Sequence, residues 1–505
     1  MDLEKREGNQ EQPSTPTALA PADKLPRADK DAGFNPHLAF SIGAAALGSG
    51  FQHGYNTGVV NPPQKIIMEW ISETKINGST EELDPEDLKK IVVGIWSITV
   101  AIFCVGGMIG GALVGTAANR FGRKGSLLLN NVLVFMAVIC QSLAKPTGHY
   151  ELLILGRFII GINAGLNAGL APMYLAEISP MHLRGAVGTV YQLVITISIL
   201  IATILGMQNV MGTADLWPWL LAMTIVPAIV QLITLPFCPE SPKYLLLSKG
   251  KDMDAQRSLT WLRGTIEVHD EMEEMRAEYE SVKLVPQVTL TELVMNSSLR
   301  IPLFISVMIM LAQQLSGINA IMFYSTQIFE MAALNEKQAQ YATIGINVVN
   351  VLMTFVSMIL VEKAGRKTLL LFGFFGMFID TALLGICLPF KGSNVASAMS
   401  ILLLYLFIVL FASGAGSIPW FLVSELFNQS ARPTATSVAI AINWAANFIV
   451  SVTFPTLQEL IESNVFFGFS VILLLFSAFI WFKVPETRNK SIEEISSMFR
   501  QQSYQ

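Results

Sequence analysis

Twelve long apolar runs constrain this chain more than any other feature. A helix that crosses a hydrocarbon core of ~30 Å needs roughly 20 mainly apolar residues. Runs of that kind recur near residues 38–60, 91–115, 126–144, 151–175, 186–208, 216–237, 300–329, 340–361, 368–389, 398–424, 434–456 and 464–483. Only 14% of the 505 residues are charged, against about a quarter in ordinary soluble domains. The sequence therefore predicts an all-α membrane protein of twelve transmembrane helices.

Charge position sets the orientation, because short loops rich in Lys and Arg stay in the cytoplasm. Two such loops stand out: Arg120, Arg123 and Lys124 after the second run, and Lys363, Arg366 and Lys367 after the eighth. Both termini then fall on the cytoplasmic side. The acidic loop 61–90 falls outside and carries Asn77-Gly78-Ser79, a glycosylation acceptor sequence, whereas the triplets at Asn296 and Asn428 lie inside and are expected to stay bare. Residues 1–36 are polar and Pro-rich, which predicts a disordered cytoplasmic tail rather than a cleaved signal. The 33 basic and 38 acidic residues form no basic stripe, so nucleic acid is not an expected partner. Cys104, Cys140, Cys238 and Cys387 lack CxxC spacing, and His37, His53, His149, His182 and His269 form no HExxH-type set. No metal, cofactor or disulfide framework is expected, and an intramembrane enzyme is disfavoured.

The chain repeats itself. Arg120-Phe-Gly-Arg-Lys124 returns as Lys363-Ala-Gly-Arg-Lys367, with Gly122 and Gly365 separated by 243 residues. Pro172, Glu177 and Arg184 return as Pro419, Glu425 and Arg432 at 247, 248 and 248 residues, and Pro239-Glu240 returns as Pro485-Glu486 at 246. One register in one order marks a parallel tandem repeat of six spans. The expected organisation is a first half over 37–237, a cytoplasmic linker over 238–299 with short helices or a loose tether, a second half over 300–484, and a cytoplasmic tail over 485–505. A bundle of two parallel halves holds its cargo near the membrane midplane, between the halves and beside Gly- or Pro-interrupted spans. The fourth and tenth runs match that description, with Gly161, Gly165, Gly169 and Pro172 in one and Gly414, Gly416 and Pro419 in the other.

A set of amides lies in the apolar runs, Gln192, Gln313, Gln314, Asn319, Asn350, Asn443 and Asn447, with no Lys or Arg beside them. Sugar hydroxyls both donate and accept while the ring offers apolar C–H faces, so amides beside aromatics such as Trp420 and Trp444 suit a neutral sugar. The competing reading is that buried amides merely bond helix to helix. Gly106-Gly-Met-Ile-Gly-Gly111 reads as close helix packing. His53 reads as pore wall or core, and Asp380, mid-span in the ninth run, as a neutral acid bonded to Thr381.

These segments resemble the sugar porter branch of the major facilitator superfamily, and most closely the animal facilitative glucose transporters. The likeness covers roughly 38–496 and rests on Gly54-Tyr-Asn-Thr-Gly58, Arg120 to Lys124, Gly156-Arg-Phe158, Glu177 to Arg184, Pro239-Glu-Ser-Pro242, Gln313 to Asn319, Glu362 to Lys367, Pro419-Trp-Phe421 and Pro485-Glu-Thr487. The resemblance implies a major facilitator fold of two six-helix halves and a plasma-membrane hexose uniporter working by alternating access. It places sugar contacts at Gln192, Gln313, Gln314, Asn319, Asn350, Trp420 and Asn447. It places a cytoplasmic gating network at Arg120, Arg123, Arg157, Glu177, Arg184, Glu240, Glu362, Arg366, Lys367, Glu425, Arg432 and Glu486. Lipid and a small-molecule hexose are the implied partners.

Three positions depart from or refine that pattern. Asn56 stands where proton-coupled relatives carry an acid, which favours a uniporter over a proton–sugar symporter, and a non-transporting sensor usually needs a long signalling tail, whereas the tail 485–505 is short. Met310-Leu311-Ala312 and Ala412 replace polar groups of glucose-selective relatives, which predicts relaxed selectivity extending to fructose.

Overall fold

The computed structural model describes residues 33–390 and 392–505, apart from the side chains of residues 323, 324, 326–328, 331, 336, 455 and 459. Most of the expected N-terminal tail therefore lies outside the described residues. Ten described helices are long and apolar enough to cross a membrane. The longest, Pro85–Thr147, is two spans joined at Gly122, whose φ of +77° turns the chain back on itself. A twelfth crossing comes from residues 36–58, where Pro36–Ala45 and Phe51–Gly58 flank the π-turn Ala46–Gly50. No single one of those pieces has spanning length.

The seventh span breaks at Gly317, which has a φ of +94° and separates Ser297–Leu315 from Ile318–Met331. The tenth span carries a π-turn, Phe411–Ala415, just before Pro419. Both interruptions stand in the second half at the depth of the expected site, where π-turns and glycines free backbone groups for other partners.

The halves meet through two helix pairs, the second span on the eleventh and the fifth on the eighth. The repeat turns the second span into the eighth and the fifth into the eleventh, so each pair is the other's image under exchange of halves. Within the first half, the second and fourth spans approach closely: a Cβ at Gly106 or Gly110 would strike the backbone of Phe158 or Ile162. Gly107 and Gly111 face Trp444 and Ile440 of the eleventh span instead. The glycine run therefore packs against two neighbours and forms no ligand loop.

Segment 238–299 folds as surface helices, Asp252–Arg263, His269–Val282 and Leu290–Met295, on one face of the bundle. The N-terminal segment joins that face, where Asn35 donates to the Leu262 carbonyl at 2.8 Å and His37 stacks on Trp261. The opposite face differs from the expected acidic loop, because Gln64–Gly78 forms a helix that buries Ile67 and Ile71. Its acids point outward, which is why charge counting hid the apolar side. Asn77 is exposed in the last turn of that helix.

Candidate functional site

The linker face is shut by two buried clusters that repeat each other. In the first half, Glu177 accepts from Arg123 at 2.9 and 3.0 Å and from Ser241 at 2.6 Å; in the second, Glu425 accepts from Arg366 at 3.1 Å and from Thr487 at 2.6 Å. Each cluster then reaches across. Arg432 of the second half donates to Glu177 at 2.9 Å, and Arg184 of the first donates to Glu425 at 3.2 Å. Glu362 accepts the Ala186 backbone N–H at 3.0 Å and lies 3.6 Å from Arg366. The exchange of arginines ties the halves together at this face.

Two further carboxylates seat the turns beneath. Glu240 accepts the N–H groups of Arg123 and Lys124, both at 3.1 Å, and Glu486 accepts those of Arg366 and Lys367 at 3.0 and 3.1 Å. Each carboxylate caps the start of a helix, where unpaired N–H groups favour negative charge. Gly122 and Gly365, at φ +77° and +85°, let the chain turn there, and a Cβ at either would collide with its carboxylate. Burial pushes the Glu240 carboxyl up, while the Lys124 and Ser241 N–H groups and Arg123 hold it down.

Above this floor, a cavity of about 630 Å³ opens at the opposite face. Its mouth runs between residues 61–66 and 206–209, and its wall comes from the first and fifth spans of one half and the seventh, eighth, tenth and eleventh of the other. All seven expected sugar contacts, Gln192, Gln313, Gln314, Asn319, Asn350, Trp420 and Asn447, line it. Shut at the linker face, the cavity opens only to the face opposite the linker.

The amides form one chain along the wall. Gln313 donates to the carbonyls of Ala415 and Gly416 at 3.0 and 3.2 Å, at the π-turn of the tenth span, and accepts from Asn443 at 2.9 Å. Gln314 donates to Asn443, and Asn319 donates to Gln314 and to Asn447. Trp420 donates its indole N–H to Gln192 across the halves at 2.9 Å. The Oδ1 of Asn350 and the Nε1 of Trp444 are buried without a partner. Such orphaned atoms beside a cavity are groups that a hydroxyl-rich cargo can satisfy.

Several expectations need correction. Arg120 is exposed and lies over Phe121, outside the ion-paired floor, because its side chain points away from the turn that its backbone helps build. Lys367 joins the floor only through its backbone N–H, while its ammonium sits over Trp481. Arg157 lies seven residues into the fourth span, far from the linker face, and donates to the Asn56 carbonyl at 3.0 Å with Phe103 beneath it. Thr381 donates to Met377 and Phe378 rather than to Asp380, whose two oxygens have no partner. Ala412 and Met310-Leu311-Ala312 do not line the cavity; Phe411 takes the wall position, and Met310 touches Asn443 from behind.

His53, read as pore wall or core, lines the wall, as do Asn347 and Phe411, which the sequence reading left aside. Asn443 lines it as the amide reading expected. His53 carried a signal, a polar ring in an apolar run, but nothing in a single sequence tells wall from core.

Two repeated halves around a polar cavity, closed at one end by ion pairs exchanged between them, define a membrane carrier of the major facilitator type. The family description "Sugar (and other) transporter" matches residues 42–499. The chain is 45% identical over 465 residues to facilitated glucose transporter member 1 of Gallus gallus, covering 92% of this chain and 94% of that protein. It is 45% identical over 470 residues to member 3 of Homo sapiens, covering 93% of each. Among solved structures, the proton:xylose symporter XylE bound to 6-bromo-6-deoxy-D-glucose superposes with TM-score 0.80 at 26% identity, over 92% of this chain and 99% of that one. The inward-open conformation of XylE from E. coli gives 0.66 at 25% identity, over 91% and 99%. The chain belongs to the sugar transporter family, whose members are carriers and not enzymes.

Proposed function

We propose that the chain is a facilitative hexose uniporter, with glucose its first substrate, that works by alternating access. The observation that carries this reading is the cavity's chemistry: amides and indoles without a lysine or arginine at its floor, above a sealed ionic floor. Neutral hydrogen-bonding groups match neutral hydroxyls, and a charged cargo would find no counter-ion at that depth. The names of the similar glucose transporters support the same substrate class.

Uniport is favoured over proton symport by the surroundings of Arg157. Asn56 stands against it, no described carboxylate pairs with it, and Asp380 lies outside the cavity lining. The sugar contacts then fall as the resemblance implies, on Gln192, Gln313, Gln314, Asn319, Asn350, Trp420 and Asn447, while the gate loses Arg120, Arg157 and Lys367. Arg123, Glu177, Arg184, Glu240, Glu362, Arg366, Glu425, Arg432 and Glu486 form the gate. The protein sits in the plasma membrane with its linker face and both termini cytoplasmic, which leaves Asn77 outside for glycosylation.

Uptake into sealed vesicles containing the purified protein tests the reading. D-Glucose enters and L-glucose does not, because a site of fixed donors and acceptors rejects the mirror arrangement of hydroxyls. Equal uptake of the two, or of neither, contradicts the proposal.

A further inference from the structure

We propose that His53 is a further sugar contact from the first half, alongside Gln192, with its Nε2 bonding one hydroxyl of the hexose. The assignment rests on the hexose reading above. The ring lines the cavity and is only 6% exposed, and its Nδ1 lies 2.7 Å from the Tyr191 hydroxyl. Three aromatic rings hold it: Trp444 at 5.5 Å, Trp420 edge-on at 5.7 Å and Tyr191 at 5.9 Å between centroids. No described group bonds Nε2. A phenol that donates to Nδ1 leaves Nε2–H as a donor, and a phenol that accepts from Nδ1 leaves Nε2 as an acceptor. In both tautomers one fixed hydrogen-bonding atom remains for the cargo.

Gln192, the other first-half contact, has its carbonyl taken by Trp420 and keeps its amide N–H groups for the cargo. A sugar held by His53 on one side and by Asn350 on the other is touched by both halves, and this gives the cargo a grip on each moving part.

Kinetics with monodeoxy-D-glucoses on the full chain in vesicles test the assignment. In wild type, one analogue lacks the hydroxyl that His53 bonds, and its KM exceeds that of glucose about five- to tenfold, the usual scale of one lost hydrogen bond. In His53→Phe, which keeps an aromatic ring against Trp420 and Trp444, the glucose KM rises by about the same factor and that one handicap vanishes while the others persist. Handicaps unchanged in the variant, or all analogues weakened alike, overturn the assignment and leave His53 as wall. The unaltered protein gives a second readout. Diethyl pyrocarbonate modifies a free imidazole nitrogen, and saturating glucose slows modification at His53 severalfold while exposed His149 and His269 react as before. Unprotected His53 overturns the assignment even where the variant fails to fold. Wild type that takes up no hexose overturns the parent reading as well, whereas normal glucose transport with an insensitive His53 sinks this inference alone.

Discussion

The two halves keep the same ionic floor but use their amides in opposite ways. Glu177 with Arg123 and Ser241 is matched residue for residue by Glu425 with Arg366 and Thr487. Most of the first half's buried amides, however, are sealed, with Gln192 the exception at the cavity wall. Gln52 donates to Asn131 at 2.8 Å, Asn131 to Gln231 at 2.9 Å and Gln231 to Ser49 at 2.9 Å, while Asn163 and Asn167 donate to Gln52. None of these lines the cavity. In the second half Gln313, Gln314, Asn319, Asn350, Asn443 and Asn447 all do. Duplication preserved the part that binds the protein to itself and let most of the buried amides that reach the cavity gather in the second half. The sealed amides follow the helix-to-helix reading, and the cavity amides stand where the sugar reading puts them.

The largest effect is expected where the halves agree. Glu177→Gln leaves Arg123 and Arg432, and Glu425→Gln leaves Arg184, buried without their carboxylate partner, a loss of about 3–5 kcal/mol for a broken buried pair. An open linker face lets water reach those cations, so the closed state bears the loss. Either variant is expected to shift the population toward the inward-open state by roughly 100-fold or more. Labelling of a cysteine placed on the linker side of the cavity reads the shift. Equal shifts for the two glutamates sharpen the symmetry, and a response from only one breaks it.

The amides give a smaller and divided effect. Asn131→Ala strips the sealed cluster of a donor to Gln231 and an acceptor from Gln52, costing about 1–3 kcal/mol of stability, while hexose KM stays unchanged. Asn350→Ala removes an unpartnered cavity group and is expected to raise KM near tenfold, with little change in melting. Reversed outcomes erase the distinction between the halves. Arg120→Ala comes last: it lies outside the floor, and neither gate labelling nor uptake is expected to change.

The spans and the repeat were legible because run length and register are properties of the chain itself. The first span was legible by apolar content although its helix is broken at Ala46–Gly50. The floor was legible where a repeated motif fixes a backbone turn, as at Gly122 and Gly365. It was misread where only a side-chain direction decides the partner, as at Arg120 and Lys367. Arg157 was misplaced because its motif does not state depth in the membrane. The helix Gln64–Gly78 was hidden by the acids of its outer face, and the departures at Ala412 and Met310 point behind the wall, which spacing alone does not reveal.

The central claim is a neutral site coupled to no ion, with Asn56 and not an acid beside Arg157. The most direct test is the steady-state distribution of labelled glucose across sealed vesicles under an imposed proton gradient. The account predicts equal concentrations inside and outside, reached at a rate that follows the sugar gradient and is indifferent to a protonophore. Accumulation above the outside concentration, collapsed by the protonophore, would contradict it.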